Sequence, residues 1–162
     1  GGLATEGAAI LAEMQAHGNV TVRIRGIAAS AASLVAMGGK RIAMHPAALM
    51  MIHDPGALTF GNARQHRESA ETLDKMAETY ARAYAAATGN SVALIRELMR
   101  AETWLSADDA LALHFCDEIE SEAETVAMAC FDLTMFRHPP ETLLRQWGAQ
   151  HRAETKEAGN AA

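Results

Sequence analysis

An α/β fold is predicted by the way two hydrophobic rhythms take turns along the chain. Apolar residues three and four apart mark helices over residues 4–17 and 62–88, whereas period-two or continuous apolar runs mark strands over 19–26, 40–46 and 48–54. A third observation is residues 28–37, composed almost wholly of Ala, Ser, Leu and Val, which suits a helix buried against a sheet. No internal repeat, low-complexity block or dividing linker interrupts this alternation.

The elements follow in order. After Gly1-Gly2-Leu3, residues 4–17 carry Ile10, Leu11 and Met14 on one helical face, and Gly18 supplies a stop. Val20, Val22 and Ile24 alternate with Thr21, Arg23 and Arg25, as in a half-buried strand. The small-residue helix ends at Gly38-Gly39. Two short strands come next, the second containing Leu49-Met50-Met51-Ile52 and delivering His53 to the turn Asp54-Pro55-Gly56. Residues 62–88 form a charged, alanine-rich helix with Leu73, Met76, Tyr80, Ala83 and Tyr84 on a stripe and Gly89-Asn90 as terminator. Its length, about 40 Å for about 27 residues, exceeds what a compact domain needs and suits a helix that packs on another subunit. Ser91 caps a helix to Arg100, and Ser106-Ala-Asp-Asp109 reads as a capping box for a helix ending near His114. Residues 115–119 suit one more strand. Helices are expected over 123–136 and 141–150, separated by His138-Pro139-Pro140, with a frayed polar end at 156–162. The organisation expected is thus a domain over 1–119 and a helical C-terminal extension over 120–162.

Composition narrows the function classes. The chain has 162 residues, 49% hydrophobic and 21% charged, enough for one proper core. A net charge of −6 and scattered arginines argue against nucleic acid and anionic membrane as partners. Cys116 and Cys130 are too few for a disulfide framework and too far apart for a CxxC unit, which fits a reducing compartment. No apolar run approaches the roughly 20 residues of a membrane span, and the opening residues do not form a charged-then-apolar leader, so a cytoplasmic location is expected.

Four features bear chemistry. Ser30 opens the small-residue helix; a serine hydroxyl attacks a carbonyl only with a base beside it and donors for the oxyanion it creates. The free N–H of Ala31 in the first helical turn is one such donor. Taken alone, a serine here is as well read as a cap. His53 closes a buried strand and would accept the serine proton at neutral pH, although a solitary histidine is commonly structural. Neither His45 nor His53 belongs to a metal-ligand spacing, so no metal is expected. An acid must orient the imidazole. Asp54 is adjacent but faces away on a strand, leaving Glu102 and Asp117. Finally, Gly1-Gly2 would let backbone N–H groups approach a ligand, while GxGxxG and Walker-type loops are absent.

Together these pieces carry a resemblance. Gly1-Gly2 before a helix, Gly26-Ile-Ala-Ala-Ser30, Met50-Met-Ile-His53-Asp-Pro55 and the run from Glu102 through Leu105-Ser106-Ala107 to Asp117 resemble the proteolytic subunit of Clp protease over nearly three-quarters of the chain. The resemblance implies a ClpP/crotonase-like spiral of β-β-α units with a long projecting helix, and a serine endopeptidase acting by Ser-His-acid acyl transfer. It assigns Ser30 as nucleophile, His53 as base and the N–H groups of Gly2 and Ala31 as oxyanion hole. Glu102 stands where the family has an aspartate as third triad member. No cofactor is implied. Partners implied are a protein or peptide substrate, further copies in a homo-oligomeric ring, and an ATPase unfoldase. Glu102-Thr-Trp and the tail Cys130-Phe-Asp-Leu-Thr-Met-Phe-Arg-His-Pro139 resemble the prophage-encoded branch associated with head maturation. The family has strands before its Gly-Gly turn, so N-terminal strands are expected to be missing here. Two alternatives remain: a Ser-Lys protease of the signal-peptide-peptidase type, with Lys40 as the nearby lysine, and a catalytically silent assembly or scaffolding protein.

Overall fold

The computed structural model describes residues 1–120 and 137–141. Two compact units divide the chain, Gly1–Ala127 and Met128–Ala162, and the elements below belong to the first. The helices expected over 123–136 and 141–150 fall, but for Glu141, outside the described residues.

Among the described residues eleven elements run in the order α1 (Ala4–His17), β1 (Thr21–Ile24), β2 (Ile27–Ala29), α2 (Ala31–Ala36), β3 (Arg41–Met44), β4 (Leu49–Ile52), α3 (Ala63–Thr88), α4 (Val92–Arg100), β5 (Thr103–Leu105), α5 (Ala107–Ala112) and β6 (Glu118–Ile119). The expected β-β-α unit occurs twice, as β1-β2-α2 and β3-β4-α3. In each, the first strand joins one sheet and the second joins the other. The sheets are ordered β1-β3-β6 and β2-β4-β5. β3 lies parallel to β1, with Thr21 opposite Arg41, and β4 lies parallel to β2, with Ile27 opposite Leu49. β5 returns antiparallel along β4, with Met50 opposite Leu105 and Ile52 opposite Thr103.

Local chemistry explains the helix limits. α3 starts at a capping box in which the Asn62 side chain accepts from the N–H groups of Arg64 and Gln65, while the Gln65 side chain accepts from the Asn62 N–H. It stops at Gly89, whose left-handed φ of 75° favours glycine. Ser91 caps α4, and Ser106 with Asp109 makes the expected capping box of α5. The box also holds the Asp109 carboxyl below its ordinary range, through hydrogen bonds from the hydroxyl and N–H of Ser106.

The small-residue run departs from expectation. Ala28 and Ala29 belong to strand β2 rather than to a helix beginning at 28, and α2 starts only at Ala31. Alanine favours helix, but three pairings with the continuous apolar β4 outweigh that preference. Residues 103–105, for which the sequence offers no strand pattern, form β5 for the same reason. Met44, Met50, Met51, Ile52 and Phe115 are fully buried and anchor the core. Helix α1 packs closely on α2: a Cβ on Gly7 would lie 3.0 Å from the Ala31 Cβ, and one on Gly38 would lie 2.8 Å from the Met14 Cβ.

Candidate active site

Ser30 occupies the bend between β2 and α2. Its backbone has φ 58° and ψ −125°, a conformation that costs a non-glycine residue about 1–3 kcal/mol and persists only where neighbours over-determine it. Those neighbours are on both sides. The Ser30 N–H donates to Met51 O at 2.9 Å, continuing the pairing of β2 with β4. Its carbonyl accepts from the N–H groups of Ser33 and Leu34, at 3.0 and 3.3 Å. A strained strand-to-helix bend thrusts the side chain out of both elements, where its hydroxyl is open to a partner.

That partner is His53. Its Nε2 lies 2.8 Å from Ser30 Oγ, hydrogen-bond reach for proton transfer. β4 carries it there: the parallel register places Met51 beside Ala29, so the residues that follow each strand emerge at one end of the sheet. Both line a small pocket whose walls include Ala31, Leu34, Tyr80 and Met99. Lys40, at the opposite, N-terminal approach to β3, is exposed and is not among the residues lining this pocket. Histidine rather than lysine faces the serine.

The three carboxylates weighed from sequence separate clearly. Asp54 forms an ion pair with Arg96 of α4. Asp117 accepts from the Ile42 N–H at 2.6 Å, on the other sheet. Glu102 is buried, 8% exposed, and sits at a left-handed φ of 51° just past the end of α4. That turn is held by its N–H on Met99 O at 3.1 Å and by Thr103 Oγ1 donating to Leu98 O at 2.7 Å. The β4–β5 register pairs Ile52 with Thr103; one step further it sets His53 opposite Glu102. Glu102 is thus the one of the three that is both buried and next in register after the residue paired with Ile52.

Gly2 is exposed, with no atom within 4 Å of a Cβ built on it. It precedes Ala4, which lines the pocket. Ala31, the first residue of α2, lines the same pocket and has no intrahelical acceptor for its N–H. Among the described residues there is no group of three or more His, Cys, Asp or Glu side chains that could hold a metal ion, and no helix long and apolar enough to cross a membrane.

Sequence reasoning missed Ser33 and Tyr84. Ser33 Oγ donates to Ser30 O at 2.6 Å and lies 2.7 Å from Tyr84 Oη. The signal available was weak: a serine one turn into an otherwise apolar helix, and a tyrosine 51 residues on, in a buried stripe.

The profile of the family described as Clp protease matches residues 1–123. The chain belongs to the Clp protease family. It is 36% identical over 127 residues to the ATP-dependent Clp protease proteolytic subunit of Epifagus virginiana, covering 75% of this chain and 64% of that protein. It is 38% identical over 123 residues to chloroplastic ATP-dependent Clp protease proteolytic subunit 1 of Arabidopsis thaliana, covering 72% and 62%. Its fold is similar to that of a ClpP1 mutant from Listeria monocytogenes, with a TM-score of 0.68, 25% identity, and coverage of 75% of this chain and 69% of that one. The chain therefore spans somewhat under two thirds of the length of these curated relatives.

Proposed function

We propose that this Clp family chain is a serine endopeptidase. Ser30 attacks the peptide carbonyl, and His53 takes its proton through Nε2 and returns it to the leaving amine. Glu102 holds the imidazole in the tautomer that accepts at Nε2. The Ala31 N–H, with that of Gly2, receives the oxyanion, and water releases the acyl-enzyme. The observation that carries the reading is the 2.8 Å contact between Ser30 Oγ and His53 Nε2 at a strained bend. Ala4, Ala31, Leu34, Pro55 and Met99 in the pocket wall suit an apolar substrate side chain.

The partners that accompany this reading are unfolded protein or peptide, further copies of the chain in a ring, and an ATP-driven unfoldase. They rest on family membership, and the ring also on the exposed Leu58 and Phe60. A cytoplasmic location rests on the sparse cysteines. General protein degradation is the broader role. The narrower one, head maturation in the prophage-encoded branch, rests only on Glu102-Thr-Trp104 and the tail from Cys130 to Pro139.

The test is fluorophosphonate labelling of the full-length protein, read by mass spectrometry, beside hydrolysis of a fluorogenic peptide. Labelling is expected at Ser30, with Ser30→Ala and His53→Ala each lowering peptide hydrolysis by on the order of 10⁴-fold or more. Labelling that survives Ser30→Ala would refute the assignment, and an unlabelled assembled protein would favour a scaffold.

A further inference from the structure

We propose that Ser33 and Tyr84 are positioning residues for Ser30, locking the Ser30–Ala31 peptide plane so that the bend keeps its shape and the Ala31 N–H faces the pocket. The inference rests on the reading of Ser30 as nucleophile. Its physical basis is a hydrogen-bond relay with only one permitted direction. A carbonyl oxygen accepts and never donates, so the 2.6 Å bond between Ser33 Oγ and Ser30 O uses the single Ser33 hydroxyl proton. The 2.7 Å contact with Tyr84 must then run from the Tyr84 hydroxyl to Ser33 Oγ. Two hydroxyls, one from α3 and one from α2, thus form a chain that ends on the carbonyl of the candidate nucleophile.

Ser33 and Tyr84 are both buried, and burial pushes the Tyr84 phenol up, so it stays a proton donor across the neutral range. Its ring leans on Phe115 at a centroid distance of 5.9 Å, which fixes where the hydroxyl ends. Removing one member takes a hydrogen-bond partner from a buried polar neighbour.

The mechanical consequence follows from peptide geometry. A trans peptide is planar, and its C=O and N–H point in opposite directions. Holding the Ser30 oxygen towards α2 and Tyr84 therefore sends the Ala31 N–H the other way, out of the helix start. α2 has only six residues; its N–H groups of Ser33 and Leu34 hold the Ser30 oxygen from the helix side, and the Ser33 hydroxyl adds a side-chain donor tied to Tyr84. On the far side, Gly7 admits α1 so closely that a Cβ there would meet the Ala31 oxygen at 3.0 Å, which limits sideways escape.

The experiment compares Ser33→Ala, Tyr84→Phe and the double variant with Ser33→Thr, which restores a hydroxyl, in the full-length protein. Each single variant is expected to lower kcat for peptide hydrolysis and the limiting fluorophosphonate rate at Ser30 by on the order of tenfold to a hundredfold. KM should hold, and Ser33→Thr should recover part of the rate. The double variant should be no slower than the slower single one, because both cut one relay. Thermal melts separate this from unfolding, since a merely structural role shrinks the labelled fraction without slowing the folded molecules. Rates within twofold of wild type, or additive losses, would overturn the proposal. If the wild type is not labelled at Ser30, the nucleophile reading fails by itself. Amide hydrogen exchange then decides the positioning claim. Tyr84→Phe should speed exchange at Ser30, Ser33 and Leu34 relative to β4, and unchanged exchange there would overturn it.

Discussion

Helix α3 lives in two environments, and its halves show what a helix owes to its own sequence and what it owes to its neighbours. The second half buries Ala77, Tyr80, Ala81, Tyr84 and Thr88 in the core and presents Tyr80 and Tyr84 to the candidate site. The first half is almost entirely exposed, and so is the segment leading to it, where Leu58 and Phe60 stand free of the core. Both halves are equally helical. In the first, the capping box at Asn62 and the spaced pair Arg64–Glu68 at 3.0 Å do locally what packing does in the second. Such a pair is worth only a few tenths of a kcal/mol. The exposed half therefore persists because it continues a helix already nucleated and anchored elsewhere.

Three substitutions would break or sharpen that contrast. Tyr84→Ala should cost the most, about 3–5 kcal/mol, because it removes a buried ring and the hydroxyl that donates to buried Ser33 Oγ. Urea unfolding measures it, and a loss below about 1 kcal/mol would mean that the second half is not an anchor. Asn62→Ala should cost about 1 kcal/mol, the usual worth of a cap. Hydrogen exchange should show fraying confined to the first turns of α3, and fraying that reaches Tyr80 would contradict the division. Leu58→Ser combined with Phe60→Ser should change the chain's own stability least, within about 0.5 kcal/mol, since neither side chain is packed. Under the proposed ring assembly the same double variant should shift the protein to smaller species in sedimentation; unchanged assembly would place the contact elsewhere.

The halves also differ in how far sequence foretold them. The limits of α1 and α3 were legible because their signals are local: Gly18 and Gly89 in left-handed turns, and Asn62 with Gln65 three residues on. α5 was legible from Ser106 and Asp109 for the same reason. The stretch around Ser30 was not. Ala28 and Ala29 have helix propensity, and only their pairing with Met50 and Met51, more than twenty residues away, makes them strand. β5 was missed likewise, as three residues whose state depends on β4. Within the candidate site, the order Ser30, His53, Glu102 could be read along the chain, but the residues themselves left Glu102 and Asp117 equal. The register of β5 on β4 separates them, together with the commitment of Asp117 to Ile42.

Sequence by itself determined the helices, their caps, the alternation that makes the fold α/β, and the set of side chains from which a nucleophile and base would be drawn. These depend on interactions within a few residues, or on the identity of a single group. Tertiary structure decided that Ser30 sits at a strained bend 2.8 Å from His53, that Asp54 and Asp117 are taken up by Arg96 and the Ile42 N–H while Glu102 follows the β5 register beyond Thr103, and that Tyr84 reaches the Ser30 carbonyl through Ser33. Each of those rests on residues more than twenty positions apart in the chain, such as Ser30 with His53 or Ser33 with Tyr84. Strain survives only when such distant contacts over-determine it, and no local pattern records that.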